Sequence, residues 1–208
     1  SMDEIRLHNP HTVEQWIAIA AKLLGHHPGN QSVYLQVTRG VPPKRDHVMP
    51  TGLAPTVFMM CSPLATPGPE LVENGVACVT ADDFRWKKCH IKSTSLLGNV
   101  LARQISADAG AAETILLRDG AHGGPWLTEA AASNVWIVHE GALLGPPKSE
   151  HMLEGIRVEL LRELCEEVGI AYNLRPIAEA DVRAADELMI TSATKEVLPV
   201  TTLDGQPV

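Results

Sequence analysis

Residues 84–104, FRWKKCHIKSTSLLGNVLARQ, constrain this chain more than any other stretch, because one lysine stands where two periodicities meet. The run up to Cys89-His90-Ile91 reads as a strand. Ser93, Thr94 and Ser95 are small hydroxyl residues suited to open a helix, and Leu96, Leu97, Val100 and Leu101 recur at helical spacing, so a helix is predicted over 93–106. Lys92 would then sit at the mouth of a strand, flanked by apolar neighbours that disfavour an ammonium and free the amine as a nucleophile. Ordinary snorkelling of the stem is the plainer reading of the same spacing. Lys87 and Lys88, adjacent on a strand, would point to opposite faces, at least one as a solvated edge lysine.

Composition narrows the function classes. The 208 residues are 45% hydrophobic and 20% charged, enough apolar material for one large or two small folded domains and too much for a disordered chain. A formal charge of −8 gives no basic footprint for nucleic acid or an anionic membrane, and no run reads as a transmembrane segment or a secretory leader. Cys61, Cys78, Cys89 and Cys165 lack CxxC spacing, which reads as reduced thiols in a cytoplasmic protein, with no metal site.

In chain order, 10–25 (PHTVEQWIAIAAKLLG) is a helix that Thr12 caps and Gly25 ends, with Trp16, Ile17, Ala20, Leu23 and Leu24 on its apolar face. The strand after it places Val33, Leu35 and Val37 on one face and Tyr34, Gln36 and Thr38 on the other. VPPKRDHVMP at 41–50 is a proline-bounded loop carrying Arg45 and His47, and 54–61 is a second strand. Residues 62–70 open with SPLATPGP and read as a linker between a domain at 1–61 and one at 71–208. GVACVTADD begins the second domain as a strand, ETILLRDG is another, 121–126 a hairpin tip, and LTEAAASNVWIV the next strand region, where Glu129 precedes three alanines. The strongest helix lies within 151–169, with Ile156, Leu160, Leu161, Leu164 and Val168 as its buried face. Gly155 permits close approach to its start, and an open helix start suits a phosphate. A short helix carrying Val182 and Ala185, a strand at 188–190 and the hydroxyl-rich turn Thr191–Thr194 close the chain.

CHIKSTSLLGNVLARQ resembles the active-site lysine segment of the fold-type IV pyridoxal phosphate enzymes, the group that holds D-amino acid transaminase, branched-chain aminotransferase and aminodeoxychorismate lyase. VYLQVTRG, LTEAAASNVW, LEGIRVELL and ITSATKEVLPV match the same family in the same order, the first of them most like the D-amino acid transaminase branch. The resemblance implies an α+β, two-domain fold of the D-amino acid aminotransferase type and pyridoxal 5′-phosphate as cofactor. It implies Lys92 as the Schiff-base lysine and Glu129 as partner of the pyridine nitrogen. Leu153 would pack against the ring, with Gly155, Ile156 and Arg157 at one half of a phosphate cup and Ser192 and Ala193 at the other. Arg45 and His47 would trap the substrate carboxylate, with Tyr34 lining the cavity, and the loop carrying them reaches a neighbouring subunit, implying a homodimer. The implied reaction is transamination between D-amino acids such as D-alanine and 2-oxo acids such as 2-oxoglutarate.

The chain departs from the family in several places. Alanines replace the family's serines after the glutamate, an arginine stands where threonine is common at 157, and Ala193 lacks a hydroxyl. Ser1-Met2 reads as a remnant of expression, and the family's first strands have no counterpart. A chain truncated at its N-terminus, with an incomplete small domain and weakened or absent turnover, is therefore expected. The alternatives are lyase or branched-chain aminotransferase chemistry on the same fold, or, from another class, a non-catalytic dimerising scaffold.

Overall fold

A computed structural model describes residues 1–26, 28–120 and 124–208, and the chain divides into two units, Ser1–Ala65 and Thr66–Val208. In the first, a 3-10 turn at Asp3–Ile5 precedes α1 (Val13–Leu24) and the antiparallel pair β1 (Gln31–Thr38) and β2 (Thr56–Pro63). α1 starts where Thr12 and Gln15 form a reciprocal capping box and stops at Gly25. Its expected apolar face is only half covered: Ile17 and Leu24 are exposed. So are Tyr34, Phe58 and Met60 on one face of the two-stranded sheet, because two strands and one helix bury little apolar surface. The Arg39 guanidinium ties this unit's start to β1 by donating to the carbonyls of Ile5 and Arg6.

The second unit begins with α2 (Pro69–Asn74), β3 (Val76–Asp82) and α3 (Leu97–Asp108), followed by β4 (Glu113–Arg118), β5 (Trp126–Ala130), β6 (Asn134–His139) and β7 (Ala142–Gly145). Next come α4 (Arg157–Val168), β8 (Ala171–Leu174), α5 (Glu179–Arg183), β9 (Glu187–Ser192), β10 (Glu196–Leu203) and β11 (Gln206–Pro207). One mixed sheet runs β5-β4-β3-β10-β9-β6-β7-β8, with β11 on β10; β3 is parallel to both β4 and β10, and β7 is parallel to β8. In that order β5 and β6 stand five strand spacings apart, about 24 Å on a flat sheet. The turn at 131–133 that joins them can span at most about 14 Å. The sheet therefore curls back on itself. Accordingly Leu127 and Ala130 of β5 share one core with Val135 and Ile137 of β6, Ile115 and Leu117 of β4 and Ile190 of β9.

Several sequence expectations are corrected here. No strand forms over 84–91: the chain leaves the sheet after Asp82, and Cys89 N–H donates to the Glu150 carbonyl (2.8 Å) while Ile91 N–H closes a turn on Lys88 O (3.1 Å). Lys88 is paired with Glu150 (2.7 Å) and not set on a strand face. α3 starts at Leu97, not 93, and its apolar residues Leu97, Val100 and Leu101 are exposed, whereas Ala102 and Ser106 are buried. Small residues face the sheet here because α3 lies close upon it, Ala102 packing on Leu116 and Ala131. On α4 the buried stripe is Val158, Leu161 and Cys165, set against Trp136 and Leu143, while Ile156, Leu160, Leu164 and Val168 are exposed. The strand region after 126 is two strands broken at 131–133, and Ala185 lies just beyond α5. Of the hairpin tip, residues 121–123 lie outside the described residues.

Candidate functional site

Lys92 lies in the segment between β3 and α3, next to buried Ile91 and itself exposed. Both ends of that segment are fixed to the region around Glu129. At the start, Arg85 reaches Glu129. At the end, Asn99 in the first turn of α3 donates its amide to Ala131 O (2.8 Å). Gly98 leaves room for this, since a Cβ there would stand 3.1 Å from Arg85 Cγ.

Glu129 is buried on β5. Its Oε1 accepts from Arg85 Nη1 at 2.5 Å and its Oε2 from Leu153 N–H at 3.1 Å. Arg85, equally buried, grips Asp83 through two parallel bonds (Nε–Oδ1 2.8 Å, Nη2–Oδ2 3.0 Å) and also donates to His151 O at 3.1 Å. Asp83 Oδ2 receives Thr128 Oγ1 (2.8 Å) and Arg118 Nη2 (3.0 Å) as well. Two carboxylates and two guanidiniums thus form a neutral buried group, the condition under which charges survive out of water. Its two acids respond oppositely. Burial pushes the Glu129 carboxyl above the usual glutamate range, although Arg85 opposes the shift. Asp83, desolvated too, is held below its ordinary value because hydrogen bonds and charge from Arg85, then Thr128 and Arg118, outweigh the burial.

The stability linked to Asp83 is therefore present above its unfolded value near 3.8 and is lost as pH falls through the lower folded value. Asp83→Asn is expected to lower the urea midpoint at pH 7, yet to lose less further stability than wild type between pH 4 and pH 2. Parallel losses in the two proteins over that range would refute this linkage.

Asn134, first in β6, donates its amide to Leu153 O (2.9 Å), so Leu153 is held by its N–H on Glu129 and by its carbonyl on Asn134. Gly155 follows; any Cβ there would collide with the Asn134 side-chain oxygen. α4 then begins at Arg157 with no side chain capping it at Ile156, and Val158 N–H donates to Gly155 O (3.1 Å), so the start of the helix carries no side-chain acceptor. Arg157 turns its side chain toward the β9–β10 turn, donating to Ser192 O (2.8 Å) and reaching Ala193 O (3.5 Å). The structure thus joins the α4 start to the turn at 193–195. Ser192 Oγ accepts from Lys195 N–H (3.0 Å) within that turn.

Arg45 and His47 lie in the first unit, both exposed, in a loop shaped by Asp46, whose carboxylate accepts from the N–H groups of His47 (2.7 Å) and Val48 (3.2 Å). Tyr34, on β1, is half-exposed and donates its hydroxyl to Gln36 Oε1 (2.7 Å). Sequence reasoning missed Asp83, Arg85, Arg118 and Lys195. The cluster Asp82-Asp83-Phe84-Arg85-Trp86, acids and an arginine interleaved with aromatics, was the available signal for the first two. Among the described residues no group of His, Cys, Asp and Glu is placed to hold a metal, and no helix is long and apolar enough to cross a membrane.

Comparison with known proteins gives the following. The profile of the amino-transferase class IV family matches residues 1–203. The D-alanine aminotransferase of Bacillus licheniformis is 41% identical over 176 residues, covering 85% of this chain and 60% of that enzyme. The D-alanine aminotransferase of Staphylococcus epidermidis is 34% identical over 209 residues, all of this chain and 72% of that protein. The chain thus spans about two thirds of the length of these relatives. Among solved structures, the Escherichia coli branched-chain amino acid aminotransferase superposes with a TM-score of 0.85 at 19% identity, over 100% of this chain and 69% of that one. A hypothetical aminotransferase from Mycobacterium tuberculosis, in its PLP-bound form, superposes with a TM-score of 0.79 at 23% identity, over 100% of this chain and 73% of that one. These likenesses show the α+β fold of fold-type IV aminotransferases.

Proposed function

Because the chain belongs to the amino-transferase class IV family, whose members depend on pyridoxal phosphate, we propose that it carries the cofactor domain of a D-amino acid transaminase acting on D-alanine and 2-oxoglutarate. The observation that carries the reading is the convergence of three elements on Leu153–Arg157: Glu129 on the Leu153 amide, Asn134 on its carbonyl, and Arg157 on the β9–β10 turn.

The residues present fit the cofactor. Glu129 spends one bond on Arg85 and one on Leu153, and a carboxylate has acceptor capacity beyond two, so it can hold a proton at a ring nitrogen. The uncapped start of α4 at Ile156 and Arg157 and the amides of Ser192 and Ala193 would hold the phosphate, with Leu153 against the ring. When bound, the cofactor supplies an electron-withdrawing ring for bond breaking at the substrate's α-carbon. Lys92 is assigned two tasks: it would hold the cofactor covalently, and its free amine would take the proton from the substrate's α-carbon. Arg45 and His47 are assigned to the substrate carboxylate, for which a planar guanidinium fork and a nearby imidazole donor are suited. Tyr34 is assigned to the same substrate-facing side.

The protein is further proposed to be a cytoplasmic homodimer. The exposed Leu97, Val100 and Leu101 on α3 support a covered face, and the free thiols of Cys61, Cys78, Cys89 and Cys165 support a reducing compartment. Borohydride reduction after incubation with pyridoxal phosphate, followed by peptide mapping, is the test. Label on Lys92 and not on Lys87 or Lys88 is expected; label distributed among surface lysines would refute the assignment. Turnover of D-alanine with 2-oxoglutarate, and none of aminodeoxychorismate, would separate transaminase from lyase.

A further inference from the structure

Glu113, the first residue of β4, is fully buried and faces the inside of the curl with Ile115 and Leu117. A carboxylate there needs partners. It has three donors: its neighbour Thr114 N–H (3.2 Å), Ser133 Oγ (3.1 Å) and, from 82 positions further on, Lys195 Nζ (3.3 Å). Among the described residues, Lys195 is the cation within 4 Å of it. Lys195 belongs to the turn at 193–195 and is only partly buried, so its stem runs from a solvent-facing turn down to an interior charge.

That turn requires holding. Glu196, directly after Lys195, sits in the left-handed region at φ +59°, a conformation that costs a non-glycine residue energy and persists where surrounding contacts enforce it. Two contacts hold it. Arg157 binds the carbonyls of Ser192 and Ala193 from α4, and Lys195 binds Glu113 of β4. The same carboxylate also holds Ser133, in the short turn that follows Glu129, so one buried group touches both segments assigned to the cofactor.

We infer that Lys195 is a positioning residue for the anion-binding turn: through Glu113 it fixes the Ser192–Ala193 backbone in the attitude that, with the start of α4, receives a phosphate group. This rests on the function proposed above. It adds a residue that touches no cofactor atom and holds the Ser192–Ala193 turn directly, whereas the ring-side residues Glu129 and Leu153 are bonded to each other and, through Glu129, to Arg85.

The test compares pyridoxal phosphate with pyridoxal, which lacks the phosphate, by titrating each into the full chain and following absorbance of the lysine-bound chromophore. Lys195→Met is expected to weaken pyridoxal phosphate about tenfold, by analogy with the lower end of what loss of an outer-layer partner costs a metal site. Pyridoxal affinity is expected to fall far less, since Lys195 makes no bond to the ring-side residues Glu129 and Leu153. Lys195→Arg, which keeps the cation, restores most of the difference. Equal weakening of both ligands, or no weakening of either, overturns the inference even with the cofactor assignment intact. If Lys195→Met fails to fold, the comparison passes to Lys195→Gln, which removes the cation and shortens the reach to Glu113; an unchanged preference for the phosphorylated ligand in Lys195→Arg together with a lost one in Lys195→Gln supports it, and an unchanged preference in both overturns it. A wild-type chain that gains no absorbance with either ligand sinks the cofactor assignment, and this inference with it.

Discussion

Lys92→Ala is expected to bind pyridoxal phosphate without the absorbance of a lysine-bound chromophore, and to lower transamination of D-alanine by at least about 10³-fold. The size follows from the two tasks assigned to one amine, since a positioned acid–base group alone contributes about 10² to 10⁴. Spectral titration and pyruvate release measure the two effects separately. Because Lys92 is exposed, the thermal midpoint is expected to move by less than about 2 °C, as for surface changes within about 0.5 kcal/mol. A variant that keeps both chromophore and turnover would move the chemistry to another lysine. A variant that loses activity by unfolding would show Lys92 to be structural instead.

Arg85→Leu is expected to be the most damaging single change to stability. It removes the cation from a bidentate bond to Asp83 and from Glu129, leaving two buried carboxylates with, among the described residues, Arg118 on Asp83 as the remaining cation and Thr128 and the Leu153 N–H as neutral donors. Breaking one side of a buried pair costs about 3–5 kcal/mol, and for a chain of this size that corresponds to a fall of roughly 10 °C in thermal midpoint. Arg85→Lys keeps the charge but cannot offer two parallel bonds and a third to Glu129, so it should recover only part of the loss. Differential scanning calorimetry of the three proteins decides it: midpoints within 2 °C of one another would mean that the network does not carry the stability assigned to it.

The network also shows why Glu129 could be named from the sequence while its environment could not. A glutamate before three alanines, set within a family pattern, marks the position. That Arg85 is its partner depends on residues 44 apart meeting across the curl, and that distance is closed by strand order, which local spacing does not encode. Lys195 and Glu113 are separated by 82 positions for the same reason. The helices teach a related lesson. Periodicity identified α1 with its Thr12 cap and α4 with its Gly169 stop, since capping and helical spacing are local. It placed the buried stripe of α4 on Ile156, Leu160, Leu161, Leu164 and Val168, whereas of these the sheet covers Leu161, together with Val158 and Cys165. An apolar side chain states a preference for burial; which of two apolar stripes obtains it is decided by the neighbour.

The order of the motif blocks, the helix caps, the turn glycines and the lysine that heads the chemistry are properties of the sequence alone, because each is a short-range pattern of residue types. The curl of the sheet, the neutral cluster of Asp83, Arg85, Arg118 and Glu129, and the joining of α4 to the β9–β10 turn through Arg157 exist only in three dimensions. The physical reason is that an isolated charge cannot stay buried, so the partners that make such a site stable have to be brought from distant parts of the chain by the packing of the whole sheet.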